Sequence, residues 1–256
     1  MKTGLTSVTF RQLPAEEIIP LAKSQGLEAI EWGGDVHVPP GDIANAKRIR
    51  QMTTDAGLAV SSYGSYWKGL DMDAFHHVLQ CALILGAPVI RIWAGNKGSA
   101  DTDDTEYKLL LENICRACSL SLPHGITIAT EYHAKTLTDT LQSTLRLLKD
   151  TSLSGLKTYW QPSAKLSFSE NLTAIKELSS CLSNIHVFGY GPDNRPPLSA
   201  SEDHWLRYIH ELESMKDDRY MLLEFVKDND PEQFRIDAAV LVGWVRKKTN
   251  CAQKKT

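Results

Sequence analysis

Four polar residues close four successive apolar runs in the second half of this chain. Glu131 ends Ile126–Glu131, Gln161 ends Leu156–Gln161, His186 lies in Ile185–Phe188, and Glu224 ends Tyr220–Glu224. The gaps between them are 30, 25 and 38 residues, each the length of a strand, a loop, a helix and a second loop. Two carboxylates, an amide and an imidazole at the same point of consecutive repeats suit one divalent cation. An oxygen-rich set with one imidazole favours Mn²⁺, with Mg²⁺, Co²⁺ and Zn²⁺ as alternatives. The competing reading is a hydrogen-bonded polar plug. A cation here would stabilise the oxygen of an enediolate, and Glu131 and Glu224 on opposite sides of a substrate could act as base and acid. Returning the proton to the neighbouring carbon gives isomerisation, and returning it to the other face gives epimerisation. Loss of a β-hydroxyl gives dehydration.

The elements that must position these groups alternate strand and helix throughout. The pattern predicts strands over Thr6–Phe10, Ala29–Trp32, Ala59–Tyr63, Val89–Trp93, Ile126–Glu131, Leu156–Gln161, Ile185–Phe188 and Tyr220–Phe225. Helices are expected over Ala15–Ser24, Ile43–Asp55, Asp73–Leu85, Asp103–Leu120, Leu137–Lys149, Glu170–Cys181, Ser201–Met215 and Pro231–Lys247. Apolar residues three and four apart, such as Leu137, Leu141, Leu145 and Leu148, mark the helical face. Thr136 with Asp139 and Ser199 with Glu202 read as capping boxes, and Gly26, Gly57, Gly86, Gly125 and Gly155 as helix ends. Eight such units predict a single (β/α)8 TIM barrel over residues 1–248, with 249–256 a fraying polar tail. No glycine-rich phosphate fingerprint follows the first strand, which argues against two doubly wound sheets. Strand side chains alternate between barrel interior and helix layer. One parity rule then turns Glu131, Gln161, His186 and Glu224 inward at the C-terminal strand ends, where barrel active sites form.

Further candidates surround that point. His37 could bind a substrate hydroxyl or pack locally. Tyr63, Trp67 and Trp93 could form the apolar wall on which a sugar ring stacks, or serve only as barrel packing. Arg91 shares the inward parity of Trp93, and a buried arginine needs an anion, for which Glu131 on the next strand is nearest. His133, two residues past Glu131, could donate toward an oxyanion or orient a ligand.

The bulk properties set limits. The chain has 256 residues, 42% hydrophobic and 23% charged, with net charge −3, and its pI near 6.2 offers no global basic field for nucleic acid. Five scattered cysteines do not form a disulfide framework, and Cys115 and Cys118 lack a second pair to complete a zinc site. No signal peptide is evident at Met1–Phe10 and no apolar run is long enough for a bilayer, so the expected location is the cytoplasm with no membrane partner.

Several segments together resemble the xylose isomerase-like TIM barrels, the sugar phosphate isomerase/epimerase family. They are Ile30–Val38, Ser61–Gly64, Arg91–Gly95, Thr130–His133, Trp160–Pro162, His186–Phe188 and Leu223–Phe225. The resemblance implies a sugar or sugar-phosphate substrate and a metal held at Glu131, Gln161, His186 and Glu224, with the two glutamates moving the substrate proton. It also implies a substrate contact from a basic residue after the histidine, here Arg195, and a homodimer. Gln161 replaces the family's usual aspartate: an amide oxygen still binds a hard cation but brings no charge. Three readings follow: a metal-dependent isomerase, epimerase or inosose-type dehydratase; an inactive barrel that binds a sugar or a partner; and an AP-endonuclease-like phosphodiesterase, against which Ala164 and the acidic pI count.

Overall fold

A computed structural model of the chain describes residues 1–190, 195–215 and 218–253, with side chains described up to 246. Eight parallel strands close into a barrel in sequence order, β1 Lys2–Thr6, β2 Ala29–Gly33, β3 Ala59–Gly64, β4 Val89–Ile92, β5 Thr127–Thr130, β6 Lys157–Trp160, β7 Leu182–Val187 and β8 Tyr220–Leu223. The surrounding helices are α1 Ala15–Ser24, α2 Ile43–Asp55, α3 Met72–Leu85, α4 Asp104–Ser121, α5 Leu141–Asp150, α6 Phe168–Leu178, α7 Glu202–Glu213 and α8 Pro231–Gln253. This is the TIM barrel that the alternation predicts. The last helix runs into the expected tail, and residues 254–256 lie outside the described residues.

The apolar side chains divide into two groups, as strand parity requires. Ala129, Tyr159 and Leu222, with Val89 and Tyr220 against them, form a small cluster of their own. The alternate positions Ile128, Trp160, Ile185, Val187, Met221 and Leu223 belong to the large core shared with the helices. The first group fills the lower barrel and the second joins strands to helices. Gly4 keeps the lower barrel narrow, since a Cβ there would lie 2.7 Å from both the Ala29 carbonyl oxygen and a Leu222 methyl.

Several boundaries differ from the sequence expectation. The first strand is Lys2–Thr6, and Ser7–Phe10 is a 3-10 turn. The Lys2 N–H donates to the Arg219 carbonyl at 3.0 Å, which starts the ladder with β8 earlier than the apolar run suggests. The helix expected from Leu137 begins at Leu141, capped by Thr140 and Ser143. Residues 137–140 are held elsewhere: Leu137 N–H donates to the Ala94 carbonyl at 2.7 Å, and Thr138 Oγ1 donates to the Glu131 carbonyl at 2.6 Å. Asp139, read as a capping residue, instead accepts from Ser99 N–H. The box read at Ser199 is also absent, because α7 starts after Ser201 with no side-chain cap. The glycine helix ends do form: Gly86 closes α3 with φ of 69°, and Gly26, Gly57, Gly125 and Gly155 are likewise left-handed.

Candidate functional site

At the C-terminal end of the barrel the structure brings Glu131, Gln161, His186 and Glu224 together. His186 Nδ1 lies 3.2 Å from Gln161 Oε1, 3.3 Å from Glu224 Oε2 and 3.5 Å from Glu131 Oε1. Glu131, His186 and Glu224 are all buried, with one donor atom of each within 4.8 Å of the others. Donors about 2.1 Å from a common centre sit about 3 Å apart at right angles, so this spacing fits a single divalent cation. Among the described residues this is the one such group of three or more carboxylates, imidazoles and thiols. Gln161 faces its oxygen to the histidine because its amide nitrogen donates to the Tyr132 carbonyl at 3.1 Å.

The cluster has a second layer that the sequence reading did not assign. Glu31, on β2, is buried beneath it. Its Oε1 accepts from Arg91 Nε at 2.8 Å and its Oε2 from Ser62 Oγ at 2.7 Å. Arg91 spans Glu31 and Glu131, donating to the second through Nη1. Trp93 Nε1 also donates to Glu131 Oε2, at 2.6 Å. His186 Nε2 lies 3.5 Å from Glu31 Oε1 and has no closer acceptor among the described residues. Gln161 Oε1 can only accept, so without a cation Nδ1 carries a proton, and Glu31 on the Nε2 side would hold the second ring proton when a cation takes the Nδ1 lone pair. Gly64 makes the crossing feasible, since a Cβ there would stand 2.6 Å from Arg91 Nη2 and 3.0 Å from Glu31 Oε1.

Electrostatics follow from this packing. Burial pushes the Glu31 carboxyl up, but Arg91, then His186 and Ser62, outweigh it and hold the group down at about 2. Glu131 is also opposed by burial, yet Arg91 and His186 keep it well below the usual carboxylate range. Burial alone would lower His186, but Glu224, Glu131 and Glu31 hold the imidazolium well above its ordinary value. A cation entering the cluster would therefore displace a proton.

The other expected site residues divide. Arg91 and Trp93 reach the cluster as described. His133 stacks on Trp93 with centroids 4.9 Å apart, and Tyr66 meets the same indole edge-on at 5.5 Å. The three rings form an aromatic wall over Glu131 and Arg91, whose guanidinium lies 5.1 Å from the Tyr66 ring. His133 Nδ1 lies 2.6 Å from the Ala134 carbonyl, which can only accept, so Nδ1 carries the proton.

Tyr63 does not reach the cluster. It has the opposite parity to Ser62 and Gly64, is fully buried in the strand–helix core, and donates to the Val38 carbonyl at 2.7 Å. Trp67 is likewise packed away, against Phe75 at 4.7 Å, with its indole N–H on the Asp71 carbonyl at 2.6 Å. His37 packs locally, with Nε2 3.0 Å from the Leu13 carbonyl and its ring against Trp32. Arg195 lies over the Phe225 ring, its Cζ 3.6 Å from the centroid and within electrostatic reach of Glu224. Residues 191–194 of the loop before it are outside the described residues. Glu31 and Tyr66 are the additions. Glu31 was findable as a lone carboxylate inside an apolar strand, whereas Tyr66 is placed by a left-handed backbone, φ 56°, that its residue type does not announce.

Comparisons with known proteins agree with this architecture. A family model described as xylose isomerase-like TIM barrel matches residues 19–241. A 3-dehydroshikimate dehydratase from Bacillus anthracis is 29% identical over 168 residues, which span 61% of this chain and 60% of that relative's length. Among solved structures, the probable 3-DHS dehydratase of Bacillus anthracis involved in petrobactin synthesis is 21% identical and superposes with a TM-score of 0.77 over 94% of this chain and 99% of that one. D-psicose 3-epimerase from Clostridium cellulolyticum, solved with D-tagatose, is 15% identical with a TM-score of 0.72 over 96% and 99% of the two chains. At these identities the solved structures speak for the fold. Among the described residues, no helix is long and apolar enough to cross a membrane.

Proposed function

Because the chain belongs to the xylose isomerase-like TIM barrel family, we propose that it is an enzyme that removes a proton next to the carbonyl of a small polyhydroxylated substrate and then expels a β-hydroxyl as water. The observation that carries this reading is the convergence of Glu131, Gln161, His186 and Glu224 on one point. Those four would hold the cation, for which Mn²⁺ suits the oxygen-rich donors best. When bound, it would polarise the substrate carbonyl and so acidify the adjacent C–H bond.

The two glutamates are not equivalent. Glu131 is committed to Arg91 and to the Trp93 indole, and these bonds make it a poor base and a firm anchor. Glu224 has no contact of that kind among the described residues; His186 is its one charged neighbour in ion-pair range. It is the better proton acceptor. The α-proton passes to the Glu224 carboxylate, the C–O bond at the β-carbon breaks, and the same carboxyl returns the proton to the departing hydroxide. Water leaves and Glu224 is again ionised. Trp93, His133 and Tyr66 wall the substrate and exclude solvent, and the His133 Nε2 lone pair accepts a substrate hydroxyl. The curated relative, a dehydratase, supports elimination over the alternatives. Isomerisation or epimerisation, the second reading, uses the same residues and is favoured by the presence of a second glutamate, Glu131, across the cluster. A phosphodiesterase with three metals finds support for one metal cluster only among the described residues.

Proton NMR in D₂O tests the proposal. Mn²⁺-loaded protein is incubated with 3-dehydroshikimate, D-psicose and D-tagatose. Loss of an α-proton, with a new alkene or aromatic signal for dehydration, is the expected result, and Glu224→Gln should slow it by about 10²- to 10⁴-fold. Metal-loaded protein that exchanges no α-proton in any of the three would overturn the reading.

A further inference from the structure

Glu131 and Glu224 are aimed by different means. The Glu131 carboxylate is held by Arg91 and by the Trp93 indole. The Glu224 carboxylate has His186 as its one charged neighbour in ion-pair range among the described residues. Its direction therefore depends on its backbone, which is held from both neighbouring strands. Glu224 N–H donates to the Val187 carbonyl of β7 at 2.8 Å. The other side is held from the end of β1, where the sequence reads Thr6-Ser7-Val8-Thr9.

Thr6 stands at the N-cap of the 3-10 turn Ser7–Phe10, yet its hydroxyl caps nothing there. An N-cap threonine ordinarily accepts from the N–H groups of its own turn. Here Thr6 Oγ1 donates to the Leu223 carbonyl at 3.4 Å and lies 3.2 Å from Thr9 Oγ1. Thr9 Oγ1 accepts from Phe225 N–H at 2.9 Å. A hydroxyl has one proton and two lone pairs, a carbonyl can only accept and an amide N–H can only donate. The bonds therefore run one way, from Phe225 N–H to Thr9, from Thr9 to Thr6, and from Thr6 to the Leu223 carbonyl. The two ends of this bridge are the peptide groups on either side of Glu224. Thr6 and Thr9 are 0% and 1% exposed, so water does not compete for the bonds. Ser7, between them, serves another strand: its hydroxyl accepts from Gly33 N–H at 2.8 Å.

The bridge also opposes a strain. Phe225 has φ of 55°, in the left-handed region that a bulky side chain avoids. Such a conformation persists only where its surroundings over-determine it, and the Thr9 bond is made to the amide of that same residue. Without Thr9 the N–H has lost its partner, and the Glu224–Phe225 peptide is free to turn. That turn would carry the Glu224 carboxylate away from His186.

We propose that Thr9, braced by Thr6, is the positioning residue for Glu224, so that the first strand aims the proton acceptor carried on the last. This deepens the elimination reading above, on which the role of Glu224 rests.

Crystal structures of metal-free wild type, Thr9→Val and Thr9→Ser test the placement. Valine keeps the shape of threonine and loses the hydroxyl, whereas serine keeps the hydroxyl and loses the methyl. The separation of Glu224 Oε2 from His186 Nδ1 is 3.3 Å in wild type. In Thr9→Val it should change by about 1 Å, a misplacement that costs about 10²-fold in rate. Thr9→Ser should keep it. The rate is read on whichever of 3-dehydroshikimate, D-psicose and D-tagatose the Mn²⁺-loaded wild type exchanges in D₂O. Thr9→Val should lose about 10- to 10²-fold in kcat with KM little changed, and Thr9→Ser should restore it. Thr53→Val is the control. It removes an equally buried hydroxyl, on α2, that accepts from Trp32 Nε1 at 3.1 Å, and it should leave kcat unchanged. An unmoved Glu224 in Thr9→Val overturns the proposal. So does a serine variant as impaired as the valine one, or an equal loss in Thr53→Val. Should Thr9→Val not fold, Thr6→Val decides, because Phe225 there keeps its partner: a displaced Glu224 supports the bridge and an unmoved one overturns it. A wild type that exchanges no α-proton sinks the elimination reading alone, and the crystal structures still decide the placement.

Discussion

Replacing Arg91 with methionine is the most informative perturbation of the centre's second layer. The wild-type guanidinium is 1% exposed and bridges two carboxylates, themselves 1% and 5% exposed. Methionine keeps much of the volume and removes the charge, which leaves Glu31 and Glu131 buried without their shared cation. Holding the Glu31 carboxyl from 4.5 down to about 2, against burial and with Arg91 the leading opposing influence, corresponds to about 3 kcal/mol of preference for the ionised form. Breaking a buried pair by removing one partner costs about 3–5 kcal/mol, so the two figures agree. The pH dependence has a definite sign. In wild type this contribution is fully present above the unfolded value of 4.5 and is lost as pH falls toward 2. In the variant Arg91 no longer opposes burial, so the folded-state value rises, with His186 and Ser62 left to hold it down. The destabilisation is then largest at neutral pH and shrinks as the solution is acidified through that risen value. Urea unfolding of metal-free protein, followed by tryptophan fluorescence, should show a deficit of about 3–5 kcal/mol at pH 7.5. A smaller deficit is expected as the pH is lowered, with partial recovery in Arg91→Met/Glu31→Gln. A loss below about 1 kcal/mol, or one that does not change with pH, would refute the assignment of Arg91 as the counter-charge of this layer.

Two other substitutions probe neighbouring contacts. Gln161→Glu sets a carboxylate oxygen against the Tyr132 carbonyl that the amide now donates to at 3.1 Å; metal-free protein should lose about 1–3 kcal/mol, while Mn²⁺ binds about tenfold or more tightly. Melting curves with and without Mn²⁺ should cross in order relative to wild type, and equal Mn²⁺ affinity in the two proteins would count against Gln161 as a ligand. Gly64→Ala puts a methyl 2.6 Å from Arg91 Nη2; displacing the buried guanidinium should cost about 1–3 kcal/mol and weaken Mn²⁺ binding, and wild-type values for both would show that the crossing has room to spare.

The sequence alone determined the barrel and the location of its donor cluster. Eight strand–helix units leave little choice of architecture for a chain of this length, and strict side-chain alternation put Glu131, Gln161, His186 and Glu224 on the same face of four neighbouring strands. Because the strands are parallel and in sequence order, those four had to meet at one end. The tertiary structure decided everything that depends on register and on loops. All five residues of β2 are buried, so Glu31 lies in a strand that shows no polar–apolar alternation to mark its inner face. Its partnership with Arg91 is fixed by a register shift between β2 and β3 that pairs it with Ser62. Tyr63 lies in the same stretch as Ser62 and Gly64 but faces the helices, a distinction set by one step of pleat. Trp67, Tyr66, Arg195 and Phe225 lie past strand ends, where no periodicity constrains a side chain. There the direction comes from hydrogen bonds outside the ladder, a local one from Trp67 to Asp71 and long-range ones from Arg11 to Tyr66 and from Phe225 to Thr9. The last of these exists only once the barrel has closed and brought its first and last strands together.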